Sequence, residues 1–122
     1  MSEADRRIQQ RVAANIGTIY HDQLEVDGTD ALMSDLSLGG ACILTNRPSP
    51  PGTEIDVQLR LSATDPIYRA KAVVRWVRES EPGIALGELT GAMGVQFTEI
   101  SEAALTRLKI FIEEKASAEL FA

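Results

Sequence analysis

The sequence predicts an all-β domain: a six-stranded antiparallel barrel, closed or nearly so, with a C-terminal α-helix and a flexible N-terminal arm. Three observations point there. Short runs of alternating apolar and polar residues recur, most plainly from Glu54 to Leu61 and from Tyr68 to Arg78. Turn formers separate the runs, among them Asp27-Gly28, Pro48-Ser49-Pro50-Pro51-Gly52 and Glu81-Pro82-Gly83. Only after Ser101 does the apolar spacing lengthen to a helical one. Alternation puts successive side chains on opposite faces of a strand, whereas helical spacing draws one stripe along a cylinder. Antiparallel strands joined by short turns bury their apolar face by closing on themselves and packing a helix against the sheet.

In chain order, residues 1–11 form a polar arm, because Arg6-Arg7-Ile8-Gln9-Gln10-Arg11 holds one apolar residue and no period. A first strand runs from Val12 to Tyr20, with Val12, Ile16, Ile19 and Tyr20 as its apolar members. The turn at Asp27-Gly28 returns the chain as a hairpin through Ala31-Leu32-Met33. A third, buried strand covers Ala41 to Thr45 and ends at the prolines, which cannot donate to a ladder. Glu54 to Leu61 is the fourth, with Ile55, Val57, Leu59 and Leu61 inward. In the fifth, Tyr68 to Arg78, Tyr68, Ala70, Ala72, Val74 and Trp76 share one side. Met93 to Thr98 is the sixth, with Met93, Val95 and Phe97 inward; the barrel as a whole spans residues 12–98. Ser101 caps a helix over residues 101–118, whose apolar stripe is Leu105, Leu108 and Ile112.

Composition narrows the class. A chain of 122 residues suits one domain with one core. Hydrophobic residues at 44% and charged residues at 25% are globular proportions, and no apolar run is long enough to span a membrane. The N-terminus lacks the apolar segment of a secretory signal, and the single cysteine cannot form an internal disulfide, so a cytoplasmic location is expected. A net charge of −6 speaks against DNA or RNA as a partner, since such binding rests on many cations neutralising phosphates. Local charge differs: Arg6, Arg7 and Arg11 cluster in the arm, with Glu3 and Asp5 close by.

The stretch Asp35-Leu36-Ser37-Leu38-Gly39-Gly40 sets two short polar side chains and two glycines between apolar runs. Asp and Ser exchange hydrogen bonds at short range, and glycine permits close backbone approach. Taken alone this is an ordinary turn, as the arginine arm taken alone is a solvated terminus.

Together, the two stretches resemble the PilZ domain family, whose motifs are RxxxR, here Arg7-Ile8-Gln9-Gln10-Arg11, and [D/N]xSxxG, here Asp35 to Gly40. The resemblance runs on through Val74-Arg75-Trp76 and Gly94-Val95-Gln96-Phe97 to the terminal helix. It implies a six-stranded barrel that binds cyclic di-GMP, a dinucleotide of two guanines and two phosphates. Arg7 and Arg11 are then assigned to phosphate and guanine, where the planar fork of arginine outperforms lysine. Asp35 accepts from guanine N1 and N2, a donor pair adenine lacks. Ser37 supplies a small hydroxyl, and Gly40, with Gly39, leaves backbone N–H groups accessible. Arg6 either adds a further phosphate contact or faces water. Trp76 resembles an aromatic near guanine in some members, but its place on the apolar side of a strand makes it first a core residue.

Other candidates are weaker. Cys42 reads as a small buried hydrophobe, and His21 as a solvent-exposed loop residue beside Asp22 with no second ligand at metal spacing. No nucleophile elbow, phosphate loop or zinc spacing is present, so neither enzyme activity, metal nor cofactor is expected. The expected function is a stand-alone receptor whose arm closes over cyclic di-GMP and presents a new surface to a protein effector governing motility or exopolysaccharide. The alternative is a protein interaction module of the same fold that uses no nucleotide. A monomer or weak homodimer through the helix, Leu120 and Phe121 is expected.

Overall fold

In the computed structural model, which describes residues 11–22, 28–79 and 89–120, six strands close a barrel and one helix packs against it. The strands are β1 (Val12–Asp22), β2 (Thr29–Leu36), β3 (Gly40–Leu44), β4 (Glu54–Leu59), β5 (Tyr68–Arg78) and β6 (Ala92–Ile100). Helix α1 covers Glu102–Leu120. Around the barrel the order is β1-β2-β3-β6-β5-β4, every neighbour antiparallel, and β1 closes onto β4 with Tyr20 opposite Val57. The arm with Arg6 and Arg7, Asp27 of the first turn, the Glu81-Pro82-Gly83 loop and Phe121 lie outside the described residues.

The interior is built by alternation. Met33, Leu36, Ala41, Ile43, Val57, Val74 and Met93 are fully buried, with Tyr20, Ile55 and Leu59 beside them. The Tyr20 hydroxyl donates to the Arg47 carbonyl at 2.8 Å and shares a 2.9 Å hydrogen bond with buried Thr45, so the one phenol in the core keeps its polar partners. Inward residues of β1 are Val12, Ala14, Thr18 and Tyr20. Ile19 faces outward, between inward Thr18 and Tyr20, and Ile16 is half-buried against the core. The pairing register with β2 shifts between Ala13 and Ile16, with Asn15 at φ 52°, a left-handed conformation asparagine tolerates.

Two readings change. Cys42 is half-buried, because Ala41 and Ile43 on either side of it point into the core. His21 belongs to β1, opposite Asp56, and its Nε2 sits 3.5 Å from the Asp56 carboxylate at about one-third exposure.

Helix α1 begins at Ser101, whose Oγ accepts the Ala104 amide at 3.1 Å, as a capping residue should. Its buried stripe is Ala104, Leu108, Phe111 and Ile112; the expected Leu105 is only half-buried. The helix is also tied down by charge. The Arg107 Nε donates to both oxygens of Asp65, at 3.1 and 3.0 Å, in the connection between β4 and β5. That hydrogen bond to Arg107 holds the Asp65 carboxyl below the usual aspartate range. No helix among the described residues is long and apolar enough to cross a membrane.

Candidate functional site

The two sequence motifs meet at one edge of the barrel. β1 and β2 pair with Ala13 opposite Asp35, so Arg11, just before β1, comes alongside the end of β2. Its Nη1 donates to Asp35 Oδ1 at 2.7 Å, across 24 residues of sequence. Both side chains remain open to solvent, Arg11 at 51% and Asp35 at 36% exposure, so the pair is accessible to a ligand. The contact engages one nitrogen and one oxygen, and exposed pairs of this kind are worth ~0–1 kcal/mol, which a ligand can readily displace.

The following turn is held by Ser37. Its amide donates to the Gly40 carbonyl at 2.8 Å, its hydroxyl donates to the same oxygen at 3.2 Å, and its Oγ accepts the Gly40 amide at 3.2 Å. Gly40 is buried, and a Cβ there would overlap the Val95 carbonyl, so glycine is needed for β3 to approach β6. The amide of Gly40 is therefore committed to Ser37, and the expectation that it stays accessible does not hold. Gly39 lies at the surface of the turn, where its carbonyl accepts the Phe97 amide at 2.8 Å.

Next to this turn, β5 carries one extra residue against β6. Val74 faces Val95 and Trp76 faces Gly94, leaving Arg75 without an opposite number. The bulge breaks strict alternation, and consecutive Arg75 and Trp76 both emerge at the surface. Trp76 is 46% exposed, so its reading as a core residue is corrected. Its indole lies over Gly94, where a Cβ would overlap Nε1. Arg75 Nε donates to Gln96 Oε1 at 2.7 Å.

These groups surround an open groove of about 330 Å³, lined by Arg11, Ser37 and Gly39 on one side and Arg75, Trp76, Gly94, Val95 and Gln96 on the other. Of the candidates named from sequence, Arg11, Ser37, Gly39 and Trp76 line it, Asp35 is bound to Arg11 at its edge, and Gly40 lies beneath. Arg6 and Arg7 are outside the described residues. Arg75, Gly94 and Gln96 were not assigned a role from sequence. Gly94 alone carried a signal, as a glycine inside a clear strand marks a close approach.

A closed six-stranded antiparallel barrel, with a helix against it and a charged, aromatic-walled groove on its surface, defines a small β-barrel domain with a ligand-sized cleft. The chain belongs to the PilZ domain family, whose model matches residues 5–114. Solved structures agree on the fold. The Bacillus subtilis inhibitor of motility MotI (DgrA) superposes with TM-score 0.70 at 16% identity, over 90% of this chain and 52% of that one. The PilZ domain of Escherichia coli YcgR, solved with c-di-GMP, gives 0.66 at 17% identity, over 90% and 91%. Borreliella burgdorferi PlzA, in complex with c-di-GMP, gives 0.60 at 12% identity, over 89% and 42%. The chain thus spans about half the length of the Bacillus protein and less of the Borreliella one. None of the curated proteins matches this sequence significantly.

Proposed function

We propose that this protein is a receptor for cyclic di-GMP that passes the signal to a protein effector by changing the surface around its groove. The observation that carries this reading is the Arg11–Asp35 contact, which joins RxxxR to [D/N]xSxxG at the mouth of the groove. Arg11 turns from Asp35 to a phosphate or a guanine edge, and the released carboxylate accepts guanine N1 and N2. Ser37 and Gly39 admit the ligand closely, Trp76 offers a stacking face, and Arg7, from the other end of the motif, adds a second cation. The c-di-GMP named for the E. coli domain and the Borreliella protein, and the motility named for the Bacillus protein, support the same ligand and a motility-type output. In this reading the protein acts in the cytoplasm, as a binder and not a catalyst.

Calorimetric titration with cyclic di-GMP tests it, with cyclic di-AMP as the guanine control. Binding of the first and not the second is expected. A charge-assisted hydrogen bond is worth ~1.5–3 kcal/mol, so Arg11→Ala and Asp35→Ala each weaken binding about tenfold to a hundredfold. A parent protein that gives no heat with cyclic di-GMP refutes the proposal and leaves the nucleotide-independent interaction module. Variants that bind as the parent does show the site to be elsewhere.

A further inference from the structure

We infer that Arg75, held by Gln96, is a base-reading residue of the groove that donates to the O6 and N7 edge of the guanine stacked on Trp76. The inference rests on the cyclic di-GMP reading and adds a specificity element to it.

The bulge in β5 is the starting point. A strand without it would send Arg75 and Trp76 to opposite faces; the unpaired residue between Val74 and Trp76 brings both to the groove. An arginine is thereby placed next to an aromatic surface that is nearly half exposed. The Gln96 side-chain Oε1 accepts the Arg75 Nε at 2.7 Å, which ties the guanidinium to β6. With Nε engaged, the two terminal nitrogens are the donors that remain, and their spacing matches the paired acceptors O6 and N7 of guanine. Adenine presents a donor, N6, where guanine presents O6, so the same fork rejects it. Arg11 stands across the groove, next to Asp35, and serves the phosphate side. Arg75 and Asp35 thus address different edges of guanine, the first the O6/N7 edge and the second N1 and N2.

A ligand–protein double cycle tests this. Parent and Arg75→Ala are each titrated with cyclic di-GMP and with its bis(7-deazaguanine) analogue, which keeps both phosphates and loses N7. The parent is expected to bind the analogue about tenfold more weakly than cyclic di-GMP. Arg75→Ala is expected to bind cyclic di-GMP about tenfold more weakly than the parent and to distinguish the two ligands little. Gln96→Leu, which frees the guanidinium without removing it, should fall between. Arg75 is exposed, so the alanine variant keeps the fold, and its circular dichroism serves as the check. A parent that binds both ligands equally overturns the inference alone. So does an Arg75→Ala variant that loses the same factor for both, since its contact is then with phosphate. A parent that binds neither ligand removes the receptor reading, and this inference with it.

Discussion

Trp76 on β5 stands opposite Gly94 on β6, and its indole fills the volume that a Cβ on any other residue would claim. The aromatic wall of the groove is therefore set by a glycine on the neighbouring strand. Gly94→Ala displaces the ring, and because Trp76 is half exposed the ring can swing into solvent without opening the core. The variant should fold, with a near-parent melting temperature, yet lose affinity for cyclic di-GMP about as much as Trp76→Ala, by ~1–3 kcal/mol if a base stacks there. Unchanged affinity in both variants means the indole is not a base platform.

Arg11→Lys separates charge from shape. Lysine keeps the cation but loses the planar fork, so binding should weaken about tenfold while remaining salt-sensitive. Parent-like affinity in titration would mean that Arg11 acts only as a point charge.

Ser37 serves the turn as well as the groove. Ser37→Ala removes the acceptor of the buried Gly40 amide, a loss of ~1–3 kcal/mol. Chemical denaturation without ligand should show it. If stability is unchanged, the turn is held by the backbone bond from Ser37 to Gly40 alone.

Leu108 is the fully buried centre of the α1 stripe. Leu108→Ala should cost ~2–5 kcal/mol by leaving a cavity between helix and barrel, read as a lower denaturation midpoint.

The Asp65–Arg107 pair gives a pH signature. Its hydrogen bond to Arg107 depresses the folded-state pKa of Asp65, so the stabilisation is present above the unfolded aspartate value of about 3.9 and is lost as pH falls through the folded value. Melting temperatures of parent and Asp65→Asn should differ at neutral pH, the parent higher, and converge once pH falls below the folded-state value of Asp65. A gap that persists at low pH assigns the effect to packing and not to charge.

The alternation in Glu54 to Leu61 and Tyr68 to Arg78, the prolines after Thr45 and the spacing change after Ser101 were enough to read strands, helix and barrel from the sequence, because period and turn chemistry are local properties. The two motifs named Arg11, Asp35 and Ser37 for the same reason: each motif is a short local pattern. What the sequence could not decide was parity beyond an irregularity. One extra residue at Arg75 brings Trp76 out of the expected core and into the groove. A bulge is visible only in the pairing of two strands, since it is a mismatch between them and not a feature of either. The partners of Gly40 and Gly94 were hidden likewise. Each glycine is required by an atom on another strand, the Val95 carbonyl and the Trp76 indole, and such contacts exist only once the barrel has closed.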